Sequence, residues 1–101
     1  MIENLIEIIQ KIIKLLEQCG YYQKSEWFTK KMEVFLKNPV DSDSFQNDLR
    51  EVKSIIGGMG SFSDLPMIPN EDSNLTKDEA RKMQWTLADD LYDEIERIAR
   101  Q

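Results

Sequence analysis

A chain of 101 residues is enough for one domain and too short for two. At 41% hydrophobic and 32% charged it is apolar enough to build a core, and 13 basic against 19 acidic residues give a net charge of −6, which opposes binding to a phosphate backbone. The absence of histidine and the single cysteine remove His-based acid–base catalysis, His-activated nucleophiles, His-containing metal sites, internal disulfides and multi-Cys metal centres. The composition points to one small non-enzymatic domain spanning residues 1–101, with no cofactor or metal implied.

Glu3, Glu7, Lys11, Lys14 and Glu17 interrupt the Ile- and Leu-rich start of the chain, so neither a signal peptide nor a membrane span is read there. With a lone cysteine, this pattern makes the cytoplasm the expected compartment. Ile2, Leu5, Ile9, Ile12, Leu16 and Cys19 follow the heptad spacing of a helical seam. Ile6, Ile13, Ile8 and Leu15 widen it, as suits a helix with neighbours on more than one side. Gly20 can supply the left-handed cap that ends this helix. Cys19, on the seam, reads as an inert thiol rather than a nucleophile.

A second helix is expected to begin between Tyr22 and Ser25 and to stop before Asn38-Pro39, because the residue before proline avoids the helical region. Phe28, Met32, Phe35 and Leu36 fall on one of its faces, and Trp27 and Val34 lie toward another. A third follows Asp41 or Ser42 as its cap, carries Phe45, Leu49, Val52 and Ile56 on a narrow stripe, and ends at Gly57-Gly58. The fourth has the clearest start: Thr76 and Glu79 make a capping box, with Leu75 and Ala80 placed as a staple. Ala80, Met83, Leu87, Leu91, Ile95 and Ile98 then line one face. No segment alternates as a strand does. The expected fold is an all-α bundle of about four helices with one long glycine-containing loop between helices three and four.

That loop holds Gly57, Gly58, Met59, Gly60, Ser61, Phe62, Ser63, Asp64 and Leu65, and continues through Pro66-Met67-Ile68-Pro69-Asn70 into a polar stretch. Connections this long are usually functional or disordered, and the apolar Met59, Phe62, Leu65, Met67 and Ile68 argue against disorder. A packed loop lying over the bundle is the better reading, with Phe62 and Leu65 as plugs. Successive N–H groups among the glycines also suit an anion nest, but no Gly-Lys-Ser/Thr ends the loop, no strand precedes it, and Asp64 adds charge of the wrong sign. A contribution of the loop to a partner surface stays open beside these readings.

The run from Gly57 to Leu65 resembles the GGMGSFNDL signature of a family of small bacterial helical proteins with no established activity. In that family a Leu-rich helix, a Trp-containing second helix and a closing helix surround the signature. Leu5 to Leu16, Trp27 and the helix from Thr76 onward stand in the corresponding places. The chain departs from the signature at Ser63, where the family has Asn. The resemblance implies a helical fold and a bacterial origin and, by analogy with other small acidic bacterial proteins, an immunity or antitoxin role.

Charge adds a position to that expectation. Residues 1–56 carry 8 basic and 9 acidic side chains, and residues 57–101 carry 5 and 10, so the acidity lies in the loop and last helix. Asp89, Asp90, Asp93, Glu94 and Glu96 are expected to point mostly into water, as a solvated face rather than a catalytic carboxylate pair. Asp89, Asp93 and Glu96 cluster opposite Leu87, Leu91 and Ile98, bordered by Trp85 and Tyr92 seven residues apart. Aromatic anchors beside carboxylates suit a basic protein partner, such as a toxin domain, neutralised through this face. Three alternatives stand beside it: the two rings merely extend the core edge, the chain self-associates as a homo-oligomer through helix one or around Trp27, or the glycine loop binds a phosphate ligand. Neither nucleic acid nor a membrane is expected as a partner.

Overall fold

The computed structural model describes residues 2–57 and 62–99, and Gly58, Met59, Gly60 and Ser61 lie outside them. Four α-helices account for most of the described chain: α1 (Glu3–Gln18), α2 (Tyr22–Lys37), α3 (Asp43–Gly57) and α4 (Lys77–Ala99). A short 3-10 turn at Phe62–Asp64 stands between α3 and α4, and no strand occurs among the described residues. At ~1.5 Å per residue, the 23 residues of α4 make it about 34 Å long.

Local chemistry sets the boundaries. Gly20 takes φ +81°, and the Tyr21 N–H bonds the Leu16 carbonyl at 2.8 Å while the Gly20 N–H bonds that of Glu17 at 3.1 Å. This is the Schellman closure, which a left-handed glycine makes without a side-chain penalty. Asn38, held extended at φ −121° and ψ 145° before Pro39, stops α2. The Ser42 hydroxyl accepts the Phe45 N–H at 3.2 Å and caps α3. At the start of α4 the capping box is complete, with the Thr76 N–H to Glu79 Oε1 and the Glu79 N–H to Thr76 Oγ1 both 3.1 Å.

α1 packs against α2 and α4, and α3 packs against the same two helices and the 3-10 turn, so α1 and α3 occupy opposite corners. Leu5, Ile9, Ile12, Leu15 and Leu16 of α1 are fully buried, with Ile6, Ile8 and Ile13 against the edge of the core. The wide seam is therefore consumed by two neighbours. Phe45, Leu49, Val52 and Ile56 of α3 are buried as their stripe predicts. Phe35 and Phe45 join α2 to α3 with ring centroids 4.8 Å apart. Leu36 departs from expectation and is 59% exposed: it lies in the last turn of α2, about 100° around the helix from the buried Phe35.

The connection to α4 is tied down at several points. Phe62 is buried and meets Phe28 edge-on at 6.1 Å, and Leu65 packs against the core, so both plug the bundle as the packed-loop reading expects. The side-chain amide of Gln84 donates to the carbonyls of Phe62 at 2.7 Å and Leu65 at 2.8 Å. Tyr21 Oη donates to the Pro66 carbonyl at 2.7 Å. Asn70 reaches the end of α1, its N–H bonding the Gln18 carbonyl at 2.7 Å and its Nδ2 the Glu17 carbonyl at 3.2 Å. It thereby satisfies the Gln18 carbonyl at the end of α1 and adds a second donor to the Glu17 carbonyl, which already accepts the Gly20 N–H.

Candidate protein-binding face on the last helix

The buried residues of α4 (Ala80, Gln84, Leu87, Ala88, Leu91, Glu94, Ile95 and Ile98) define its inner face, and helical periodicity puts Asp89 and Asp93 on the opposite side. Both aspartates are exposed. Trp85 is 53% and Tyr92 42% exposed, so neither ring is absorbed into the core edge. Tyr92 follows Trp85 by seven residues, two turns along one side of the acidic face. The structure thus brings Trp85, Asp89, Tyr92, Asp93 and Glu96 onto one continuous outer surface.

Each exposed ring already carries a cation from this chain. The Arg81 guanidinium lies 5.1 Å from the centre of the Trp85 ring, and Lys53 Nζ lies 5.3 Å from that of Tyr92. Lys53 also bridges from α3 to Glu96, and this hydrogen bond, ahead of any other influence, raises its ammonium above the ordinary lysine value. Glu96 is therefore a half-buried, cross-linked member of the face, unlike Asp89 and Asp93.

Glu94 is an exception among the five carboxylates expected to point mostly into water. It is buried, and Arg97 one turn on closes a two-point pair with it, Nε to Oε1 at 3.0 Å and the second nitrogen to Oε2. Hydrogen bonding to Arg97 holds the Glu94 carboxyl below the usual glutamate value despite its burial. Asp90 stays exposed.

The loop residues fall into two groups. Gly57 is the last residue of α3, Phe62 is part of the core, and Asp64 closes the 3-10 turn on the exposed side. Gly58, Gly60 and Ser61, on which the anion-nest alternative rests, lie outside the described residues. Beside the loop, a cleft of about 620 Å³ separates residues 63–68 from Lys77, Asp78, Arg81 and Trp85 on α4. Its two cations are matched by Asp64 and Asp78.

Other ionisable groups owe their shifted titration to local hydrogen bonds and burial. Hydrogen bonds to Thr76 lower Glu79, and bonding to Glu94 raises Arg97. Burial opposes the charged form of Lys31, yet its hydrogen bond to Glu51 and the pull of Asp48, 3.5 Å away, leave it raised. Burial raises the Cys19 thiol, away from the reactive thiolate.

Sequence reasoning missed Gln84, Lys53, Arg81, Asn70 and the Glu94–Arg97 pair. Gln84 and Glu94 carried a usable signal, since both fall within the apolar arc of α4, and Arg81 stands one turn before Trp85. No family model, curated protein or solved structure matches the chain. Among the described residues no helix is long and apolar enough to cross a membrane.

Proposed function

We propose that this protein is a non-enzymatic binding module that captures a basic protein through the outer face of α4. The observation that carries this reading is the exposure of Trp85 and Tyr92 beside the exposed Asp89 and Asp93 on one helix surface. Large rings that remain in water supply the apolar area an interface core needs, and the carboxylates around them accelerate encounter with a cationic surface.

The most concrete version is a bacterial, cytoplasmic immunity or antitoxin protein that covers the cationic active site of a toxin domain such as a nuclease. It is supported by the resemblance of residues 57–65 to small bacterial helical proteins and by the acidity concentrated in residues 57–101. Self-association is the second reading, favoured by Ile55, which is 39% exposed and borders a small apolar cleft with the half-buried Trp27. α1 lends this reading little support, because none of its large hydrophobic side chains is exposed.

One experiment separates the two. A photo-crosslinking residue placed at Thr86, on the outer side of α4, is expected to capture a basic protein in the source cell. The same group at Lys30 on α2 captures nothing comparable, and Asp89→Lys with Asp93→Lys abolishes the product at Thr86. Capture of a second copy of the chain establishes self-association, and an acidic partner or equal yields at both positions refute the binding-face reading.

A further inference from the structure

Lys53 suggests how the face recognises its partner. Its ammonium sits where a cation is stabilised twice, against the Tyr92 ring at 5.3 Å and in an ion pair with Glu96. All three participants are partly open to solvent, with the Tyr92 residue 42%, the Lys53 side chain 41% and the Glu96 side chain 31% exposed. An ion pair this accessible is weakly held, and the long lysine stem can swing outward without disturbing the core. The exposed Asp89 and Asp93 lie on the same side of α4.

Building on the binding-face reading of α4, we infer that Tyr92 and Glu96 form a receptor for one cationic side chain of the partner, a lysine or arginine, and that Lys53 holds that place in the unbound chain. On docking, the incoming cation takes the ring face and the Glu96 carboxylate while Lys53 moves into solvent. An arginine fits best, because its planar guanidinium stacks on the tyrosine and donates to the carboxylate at once. Lys53 therefore acts as an internal competitor that weakens non-specific capture of isolated cations. A partner that also engages Trp85, Asp89 and Asp93 overcomes it.

The test uses the full chain and the hexa-arginine peptide Ac-(Arg)6-NH2 as probe, by calorimetry and by amide chemical shifts at low salt. Lys53→Gln is compared with Lys30→Gln, a charge-matched control on α2 whose lysine pairs with Glu26 in an exposed turn. Lys53→Gln is expected to bind the peptide at least about threefold tighter than Lys30→Gln, with shifts centred on Asp89 to Glu96. The gain should disappear when Glu96→Gln is added. Thermal melts of each variant confirm that the fold is retained. Equal affinities for the two lysine variants, a gain that survives Glu96→Gln, or shifts away from α4 would each overturn the inference. The broader reading is judged separately: if Asp89→Lys with Asp93→Lys leaves peptide binding intact, the acidic-face reading falls. If that variant loses binding while the two lysine variants agree, only the exchange at Lys53 is refuted.

Discussion

Replacing Gln84 by leucine isolates the attachment of the long connection to α4. The substitution nearly conserves volume but removes both donors, so the Leu65 carbonyl loses its side-chain partner and the Phe62 carbonyl keeps only the Leu65 N–H at 3.3 Å. Gln84 is 2% exposed and the Phe62 bond is buried, so water cannot readily replace it there; Leu65 is only partly buried, and its carbonyl can recover some solvation. Taking ~0.5–1.5 kcal/mol for each of the two hydrogen bonds lost, the loss is about 2 kcal/mol. An unfolding entropy of ~2.1 cal/mol/K per residue over 101 residues is about 0.21 kcal/mol/K, so Tm should fall by about 10 °C. Urea titration gives the free energy, and amide exchange over residues 62–68 reports whether the connection loosens before the helices melt. A loss below about 1 kcal/mol with exchange over 62–68 unchanged would show that Gln84 does not hold the connection.

Two further outcomes follow from the termini and the buried pair. Gly20→Ala forces a side chain onto φ +81° and brings its Cβ to 3.4 Å from Asn70 Oδ1. It should cost about 1–2 kcal/mol, a Tm drop of about 5–10 °C, and an unchanged Tm would contradict the capping account. Because Arg97 lowers the folded-state value of Glu94 below the ordinary 4.5, the pair stabilises the fold above that pH, and this stability is lost as pH falls through the lowered value. Glu94→Gln should therefore be less stable than wild type at pH 7, and the difference should shrink steadily below about pH 4.5. A difference that stays constant across this range rules out the pair as its source.

Helix ends were legible because short-range chemistry sets them. Gly20, Ser42 and the Thr76–Glu79 box each act through hydrogen bonds within a few residues. The stripes of α1, α3 and α4 were legible for a related reason, since one period describes both sequence and burial. What escaped depends on neighbours distant in the chain. Lys53 meets Glu96 across 43 positions and Asn70 meets Glu17 across 53, and no local pattern encodes either encounter. Glu94 escaped differently: its angular position already lay at the edge of the apolar arc, but a carboxylate is assumed to stay in water unless a cation neutralises it. Arg97 does so from one turn away. At the candidate face, Trp85, Tyr92, Asp89 and Asp93 were placed correctly by periodicity alone. Their setting was only half legible: Arg81 stands four residues before Trp85 on the same helix, whereas Lys53 reaches Tyr92 from α3, an encounter that only the fold determines.

The central claim is that the outer face of α4 steers and holds a basic protein. The association rate of the partner captured at Thr86, measured as a function of ionic strength, tests it most directly. The account predicts a rate that falls steeply as salt rises, and a much slower, nearly salt-independent rate for Asp89→Lys with Asp93→Lys. A wild-type rate indifferent to salt, or one that the double substitution leaves unchanged, contradicts it.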